Sequence, residues 1–365
     1  MKKTFFIVIA ILVSSLSSTA GERNKDWQYT PHSQLNLINK LMPTENPLAR
    51  LDSARYDKLN EKEKMMCGCS TGHVFSFSTN SSFVGVRACF TRISDSSISA
   101  ANCARGFDLY IEKDGEWLWA GSVAATREIN VENDYMVGSG LGDKEKRCLL
   151  YLPHSSHLCS LEVITEPGSD IQPAPSPFAG RIAVYGSSFT HGAGCSRCGM
   201  LYTAQLARMT GYNFINMGFS GEAWMQGYFA DILIEAEDID AYLFDCFSNP
   251  TPEVIRRNLF PFIEKFQKGK PGVPLIFMKT AFREIRLVDE ERNEFEAAKM
   301  AVADSLMKIA VKKYKNVYYI SSTDTVGKYH ECTTDGIHPD SHGYTLWAES
   351  VKKDLCRILR KHIIQ

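Results

Sequence analysis

Val184-Tyr185-Gly186-Ser187-Ser188-Phe189-Thr190-His191-Gly192 reads as a strand running into a turn. The apolar run over 181–185 has the texture of a buried strand. It stops at Gly186, a small hydroxyl residue follows, and a helix-like segment begins near Gly199. A serine at a sharp strand exit holds its hydroxyl clear of the backbone, beside helix N–H groups that favour negative charge. That suits a nucleophile, although small residues are also ordinary turn chemistry. The far end of the chain weighs against a plain turn. In Thr334-Asp335-Gly336-Ile337-His338-Pro339-Asp340 one loop carries both an imidazole and a carboxylate able to hold it in one tautomer and stabilise its cation.

Two further segments lie between these ends. Asn216-Met217-Gly218-Phe219-Ser220-Gly221 follows the apolar run 212–215, and Asp245-Cys246-Phe247-Ser248-Asn249-Pro250 follows 241–244. Gly221 offers an unobstructed N–H and Asn249 a side-chain amide; with the Ser188 N–H these are the parts of an oxyanion hole. Each also has a plain reading, Gly221 as a tight turn and Asn249 before Pro250 as a turn initiator.

Beyond residue 180, strand and helix patterns alternate. Strands are expected at 181–185, 213–216, 241–245, 275–279 and 317–320, and helices at 200–210, 227–237, 251–268, 290–314 and 342–362. Such alternation implies parallel strands with crossover helices on both faces, and ligands bind such sheets outside the carboxyl ends of the strands. Ser188, Gly221 and Asn249 follow the first three strands, and Asp335 and His338 follow the fifth. All therefore fall at one edge of one sheet.

In this order the four segments resemble the GDSL/SGNH hydrolase family, over residues 180–362. The resemblance implies a flavodoxin-like three-layer α/β/α domain with a five-stranded parallel sheet. It implies Ser188 as nucleophile, His338 as general base, Asp335 as its orienting carboxylate, and an oxyanion hole of Ser188, Gly221 and Asn249. His191, Arg197, Glu222 and Trp224 become candidate pocket residues, with His191 read as a rim residue. No metal or organic cofactor is needed. The sequence departs from the family's usual pattern at Ser187, where an aspartate is common, and in a third block reading Phe-Ser-Asn-Pro rather than Gly-x-Asn-Asp. Its blocks are most similar to a subgroup whose esterase domain follows an N-terminal β-sandwich. The implied reaction removes a small acyl group, acetyl above all, from a carbohydrate or similar exported substrate. The alternatives are a lipid-directed esterase, of the lysophospholipase or platelet-activating-factor-acetylhydrolase kind, and a glycan-binding protein without activity.

Upstream, between residues 72 and 164, many short alternating runs are separated by turn signals, with Asp114-Gly115 as a hairpin turn. This texture predicts an all-β, jelly-roll-like sandwich. Trp117 and Trp119 alternate on one strand face, which suits a buried core. Alternating prolines mark 173–180 as a stiff linker. The chain thus divides into a leader at 1–20, an N-terminal region with the sandwich at 21–172, the linker, and a hydrolase domain at 181–365. Lys2 and Lys3, the apolar core 5–13 and Ser18-Thr19-Ala20 make the leader a secretory signal cleaved after Ala20, giving a periplasmic or secreted protein without a stable membrane span. A net charge of −1 with no long run of Lys and Arg argues against a nucleic-acid partner. Eleven cysteines leave at least one unpaired if the rest pair. Cys67 and Cys69 are too close to bridge each other and are expected to pair elsewhere. Cys195 and Cys198, lacking further metal ligands, are read as a local disulfide or two buried thiols.

Overall fold

The structure, a computed structural model, describes residues 22–321, 326–328 and 330–363. The leader read at 1–20 lies outside these. The N-terminal half contains strands β1 (Gln28–Pro31), β2 (Asn36–Ile38), β3 (Val74–Thr79), β4 (Phe83–Arg92), β5 (Gly106–Lys113), β6 (Glu116–Ala124), β7 (Glu132–Ser139), β8 (Lys146–Tyr151), β9 (His157–Thr165) and β10 (Ile171–Pro173), with helices α1 (Glu61–Cys67) and α2 (Ala101–Ala104). The strands form two antiparallel sheets, β1-β9-β4-β7 and β10-β3-β8-β5-β6, with β2 added beside β3. Phe75, Phe77, Phe90, Phe107, Leu150 and Leu161 fill the space between them.

The C-terminal half alternates as its sequence pattern requires. Its strands are β11 (Ala179–Gly186), β12 (Tyr212–Gly218), β13 (Ala241–Asp245), β14 (Leu275–Met278) and β15 (Val317–Ile320). All pairs are parallel, in the order β12-β11-β13-β14-β15. Helices α3 (Ser188–His191), α4 (Tyr202–Thr210), α5 (Gly227–Glu235), α6 (Pro252–Gly269), α7 (Glu290–Lys313) and α8 (Ser341–Leu359) accompany them. Side chains of β11 alternate between the two faces. Ile182 and Val184 pack with α4 and α8, and Ala183 and Tyr185 pack with α5, α6 and α7. The strand order reverses direction at β11, so the β11/β13 gap is the switch point where open parallel sheets bind ligands.

The two halves share their packing. On β8, Leu150 faces the sandwich interior while Leu149 and Tyr151 join the core around Val184, Leu201 and Tyr202. The segment 174–178 runs along the sandwich: Asn36 donates to the Ala174 carbonyl at 2.9 Å and Ser76 to that of Pro175 at 3.2 Å, and Phe178 is buried in the shared core. Trp119 corrects the buried-core expectation. It lies on the edge strand β6 and is 54% exposed, because an edge strand has one flank uncovered. Each of the eleven cysteines is a free thiol, including Cys67 and Cys69, which are buried and were expected to pair. No helix among the described residues is long and apolar enough to cross a membrane.

Candidate active site

Gly186 ends β11 where only hydrogen fits, since a Cβ there would lie 2.0 Å from the Thr190 hydroxyl. The chain then turns into α3, capped by the Ser187 hydroxyl, which accepts from the Phe189 N–H at 3.1 Å. Ser187 also donates to Asp245 at the end of β13 (2.8 Å), and Thr190 donates to the same oxygen (3.0 Å). A buried carboxylate thus ties the turn after β11 to β13. Burial raises the Asp245 pKa to about 6, against the lowering effect of these donors.

Ser188 opens α3 with its Oγ 2.9 Å from His338 Nε2, and His338 Nδ1 is 2.8 Å from Asp335 Oδ2. The other Asp335 oxygen accepts from the N–H groups of Ile337 (3.0 Å) and His338 (2.8 Å). These donors outweigh burial and hold the Asp335 carboxyl below its ordinary range. The loop is closed by a bridge between Thr333 and Pro339 and by Asp340, which caps α8. The Phe189 ring meets the His338 imidazole edge-on at 5.6 Å.

Gly221 follows β12 at φ +77°, and a Cβ there would come within 2.7 Å of the Lys62 ammonium of α1. Asn249 follows β13, and its Oδ1 accepts from the Ala223 N–H at 3.2 Å, which turns the NH₂ group the other way. Among the described residues none accepts from the Ser188 N–H, the Gly221 N–H or the Asn249 amide nitrogen.

Two expected pocket residues sit elsewhere. His191 is 6% exposed rather than on a rim. Three residues after Ser188 it turns inward at the end of α3, where Nδ1 meets the Ser220 hydroxyl at 2.8 Å and the ring lies 5.1 Å from that of His154, tilted by 36°. Desolvation drives its pKa well below the ordinary histidine value, so it is a neutral strut under the Gly221 loop. Arg197 faces the sandwich, donating to Asp108 (2.9 Å) and Tyr110 (2.6 Å). Glu222 and Trp224 stay beside Gly221. Glu222 pairs with Lys62 at 3.0 Å and accepts from Asn60, and Trp224 is 42% exposed. No group of three His, Cys, Asp or Glu side chains among the described residues is arranged to hold a metal ion.

Several supports were not evident from the sequence. Arg50, buried in the N-terminal half, donates to the Gly218 carbonyl at 2.8 Å and to that of Met66 at 2.7 Å, with its guanidinium 4.8 Å from the Phe219 ring. Glu284, after β14, accepts from the Cys332 N–H (2.8 Å) and the Thr333 hydroxyl (2.5 Å) and so braces the His338 loop. The one available signal was position, because the stretch after β14 lies at the same strand edge as the other blocks.

The GDSL-like lipase/acylhydrolase family matches residues 179–356, and the GxDLY family, the N-terminus of SGNH-hydrolase-type esterases, matches residues 26–171. A solved protein from Bacteroides ovatus described as a GDSL-like lipase is 32% identical over 93% of this chain and 99% of its own, with a TM-score of 0.86. The salicylyl-acyltransferase SsfX3 from a tetracycline biosynthetic pathway has 18% identity, 92% and 98% coverage and a TM-score of 0.70. A family two carbohydrate esterase from Cellvibrio japonicus has 12% identity, 92% and 98% coverage and a TM-score of 0.59. These last two share the fold. No curated protein matches the chain. The chain belongs to the GDSL/SGNH hydrolase family, in the form with a β-sandwich ahead of the catalytic domain, and is a serine carboxylic ester hydrolase.

Proposed function

We propose that the protein is an exported esterase that removes small acyl groups, acetyl above all, from carbohydrate, with Ser188, His338 and Asp335 as its triad. The observation that carries this reading is the unbroken chain Ser188–His338–Asp335, at 2.9 and 2.8 Å. Asp335 accepts a hydrogen bond from Nδ1–H, which holds the proton on Nδ1 and leaves the Nε2 lone pair facing Ser188. His338 removes the Ser188 proton as Oγ attacks the ester carbonyl, then returns it to the departing alcohol. Water, deprotonated by the same imidazole, releases the acyl group. The N–H groups of Ser188 and Gly221 and the Asn249 amide receive the charge that develops on the carbonyl oxygen.

The rim supports the substrate class. Lys62, Glu222 and Asn60 make it polar, and Trp224 adds an exposed aromatic face. Covering an ion pair with a long alkyl chain leaves polar groups desolvated, whereas a hydroxylated ring can bond to them. The signal read at 1–20 supports export, and the fold shared with the Cellvibrio japonicus carbohydrate esterase is in keeping with a sugar ester.

The test is hydrolysis of p-nitrophenyl esters of rising chain length and of acetylated oligosaccharides. Ser188→Ala is expected to abolish turnover with the melting temperature unchanged. Asp335→Asn is expected to lower kcat by a smaller factor, about 10² to 10⁴. An active Ser188→Ala protein would end the reading, and a preference for long acyl chains would redirect it to lipid esters.

A further inference from the structure

Beneath the Asn249 loop lies a charge cluster that the ester-hydrolysis steps do not use. Arg283, Glu296 and Lys299 are all buried. Glu296 bonds Arg283 through one carboxylate oxygen and Lys299 through the other, the latter at 2.6 Å. Both cations then converge on one atom. Arg283 Nη2 donates to the Ser248 carbonyl at 2.8 Å and Lys299 Nζ to the same carbonyl at 3.0 Å; Arg283 Nη2 also reaches the Ser248 hydroxyl at 2.8 Å. The Arg283 guanidinium in turn lies 5.7 Å from the ring of Phe189, the residue after Ser188.

We propose that Arg283, Lys299 and Glu296 form a buried clamp on the Ser248 carbonyl that fixes the Asn249 amide as an oxyanion donor. The proposal rests on the assignment of Asn249 to the oxyanion hole. Its residues are positioning residues, since none is placed against the reacting atoms. A trans peptide is planar, so the direction of the Ser248 C=O sets that of the Asn249 N–H and the position of the Asn249 Cα, from which the side chain departs. The clamp occupies both lone pairs of the carbonyl, and the Ala223 N–H holds the far end of the side chain. Asn249 is thereby fixed at two points, with its NH₂ group left free. Stability alone is a poor reason for this arrangement. A buried ion cluster is seldom more stable than apolar side chains of the same size, and burial pushes Lys299 down to about 8. The departure of the third block from Gly-x-Asn-Asp gives a reason for a support from outside the block, because Phe247-Ser248-Asn249-Pro250 has no local device that orients its carbonyl.

The test is a double-mutant cycle in the full chain with p-nitrophenyl acetate. Lys299→Met is expected to lower kcat about 10- to 100-fold, within the range for loss of one oxyanion donor, with KM little changed. Asn249→Ala should lower kcat at least as much. Lys299→Met added to Asn249→Ala should cost almost nothing more, because the residue it positions is gone. Ser248→Ala removes one Arg283 contact without touching the cluster; it should show a smaller loss, also absorbed by Asn249→Ala, and it decides the matter if Lys299→Met does not fold. Losses that multiply in the double variants would overturn the clamp while leaving Asn249 in the oxyanion hole. A fully active Asn249→Ala protein would overturn both.

Discussion

Asp245 carries one side of the site without touching the reacting groups. One of its oxygens accepts from the Ser187 N–H, the Ser187 hydroxyl and the Thr190 hydroxyl, while the other is buried and has no hydrogen-bond partner among the described residues. Burial therefore favours its neutral form, and its folded-state pKa stands at about 6 against an ordinary 3.8. A folded state that holds a proton more tightly than the unfolded chain is stabilised below pH 4. That contribution is lost as pH rises through 6, by up to about 3 kcal/mol at 1.36 per pKa unit. Urea unfolding of wild type and Asp245→Asn at pH 4 and pH 7 checks this. Relative to the variant, wild type should lose stability between the two values, and parallel pH curves would show that the carboxyl is not buried as described.

At the scale of elements, the loop between α3 and α4 couples the sandwich to the histidine. Ser99 accepts from the Gly194 N–H at 3.0 Å, the Ala100 N–H donates to the Cys195 carbonyl at 3.2 Å, and Asp108 accepts from the Gly199 N–H at 2.8 Å. On its other side the loop touches the His338 segment, with Ser196 and Ser341 hydroxyls 2.7 Å apart. Gly106-Phe107-Asp108-Leu109-Tyr110 spells the Gly-x-Asp-Leu-Tyr of the matching N-terminal family, and its Asp and Tyr are the groups that grip Arg197. Gly194 is the tight point, at φ +93° with a would-be Cβ 2.4 Å from the Pro339 carbonyl. Gly194→Ala should therefore push the His338 loop away from Ser188. The expected effect is a fall in kcat of about 10² or more, as for an ångström-scale misplacement, out of proportion to any change in melting temperature. Steady-state kinetics beside thermal unfolding measures both, and a drop in melting temperature with kcat intact would assign the glycine to folding alone.

Over the whole molecule, the N-terminal half is part of the hydrolase core rather than an appendage. Met66 and Cys67 of α1 and Leu51 pack with Tyr185, Met217 and Phe219, and Tyr110 and Tyr151 of the sandwich pack beneath α4. A fragment beginning at residue 174 would expose these apolar faces and lose Arg50 from the Gly218 carbonyl. It should be expressed as an aggregating or loosely packed protein that binds a hydrophobic dye and lacks esterase activity. A monomeric, cooperatively unfolding fragment with normal kcat would show that the sandwich is dispensable.

The strands and helices of the hydrolase half were legible because each depends on a local pattern. Ile182, Ala183, Val184 and Tyr185 are apolar on both faces, as a covered parallel strand requires, and strand exits at Gly186, Gly218 and Asp245 are visible within a few residues. The same pattern brought Ser188, Gly221, Asn249 and His338 to one sheet edge, since consecutive parallel strands point the same way. Sequence could not indicate which side chains brace those exits. Arg50 reaches Gly218, Lys299 reaches Ser248 and Asp108 reaches Arg197 across 168, 51 and 89 residues. It also could not separate His191, turned inward at the end of α3, from Trp224 at the rim, because both lie close in sequence to a candidate group. Periodicity and turn chemistry report what a residue's neighbours along the chain require. The partner of a buried cation, and the face a side chain turns to its pocket, follow from packing between distant segments, which exists only once the chain is folded.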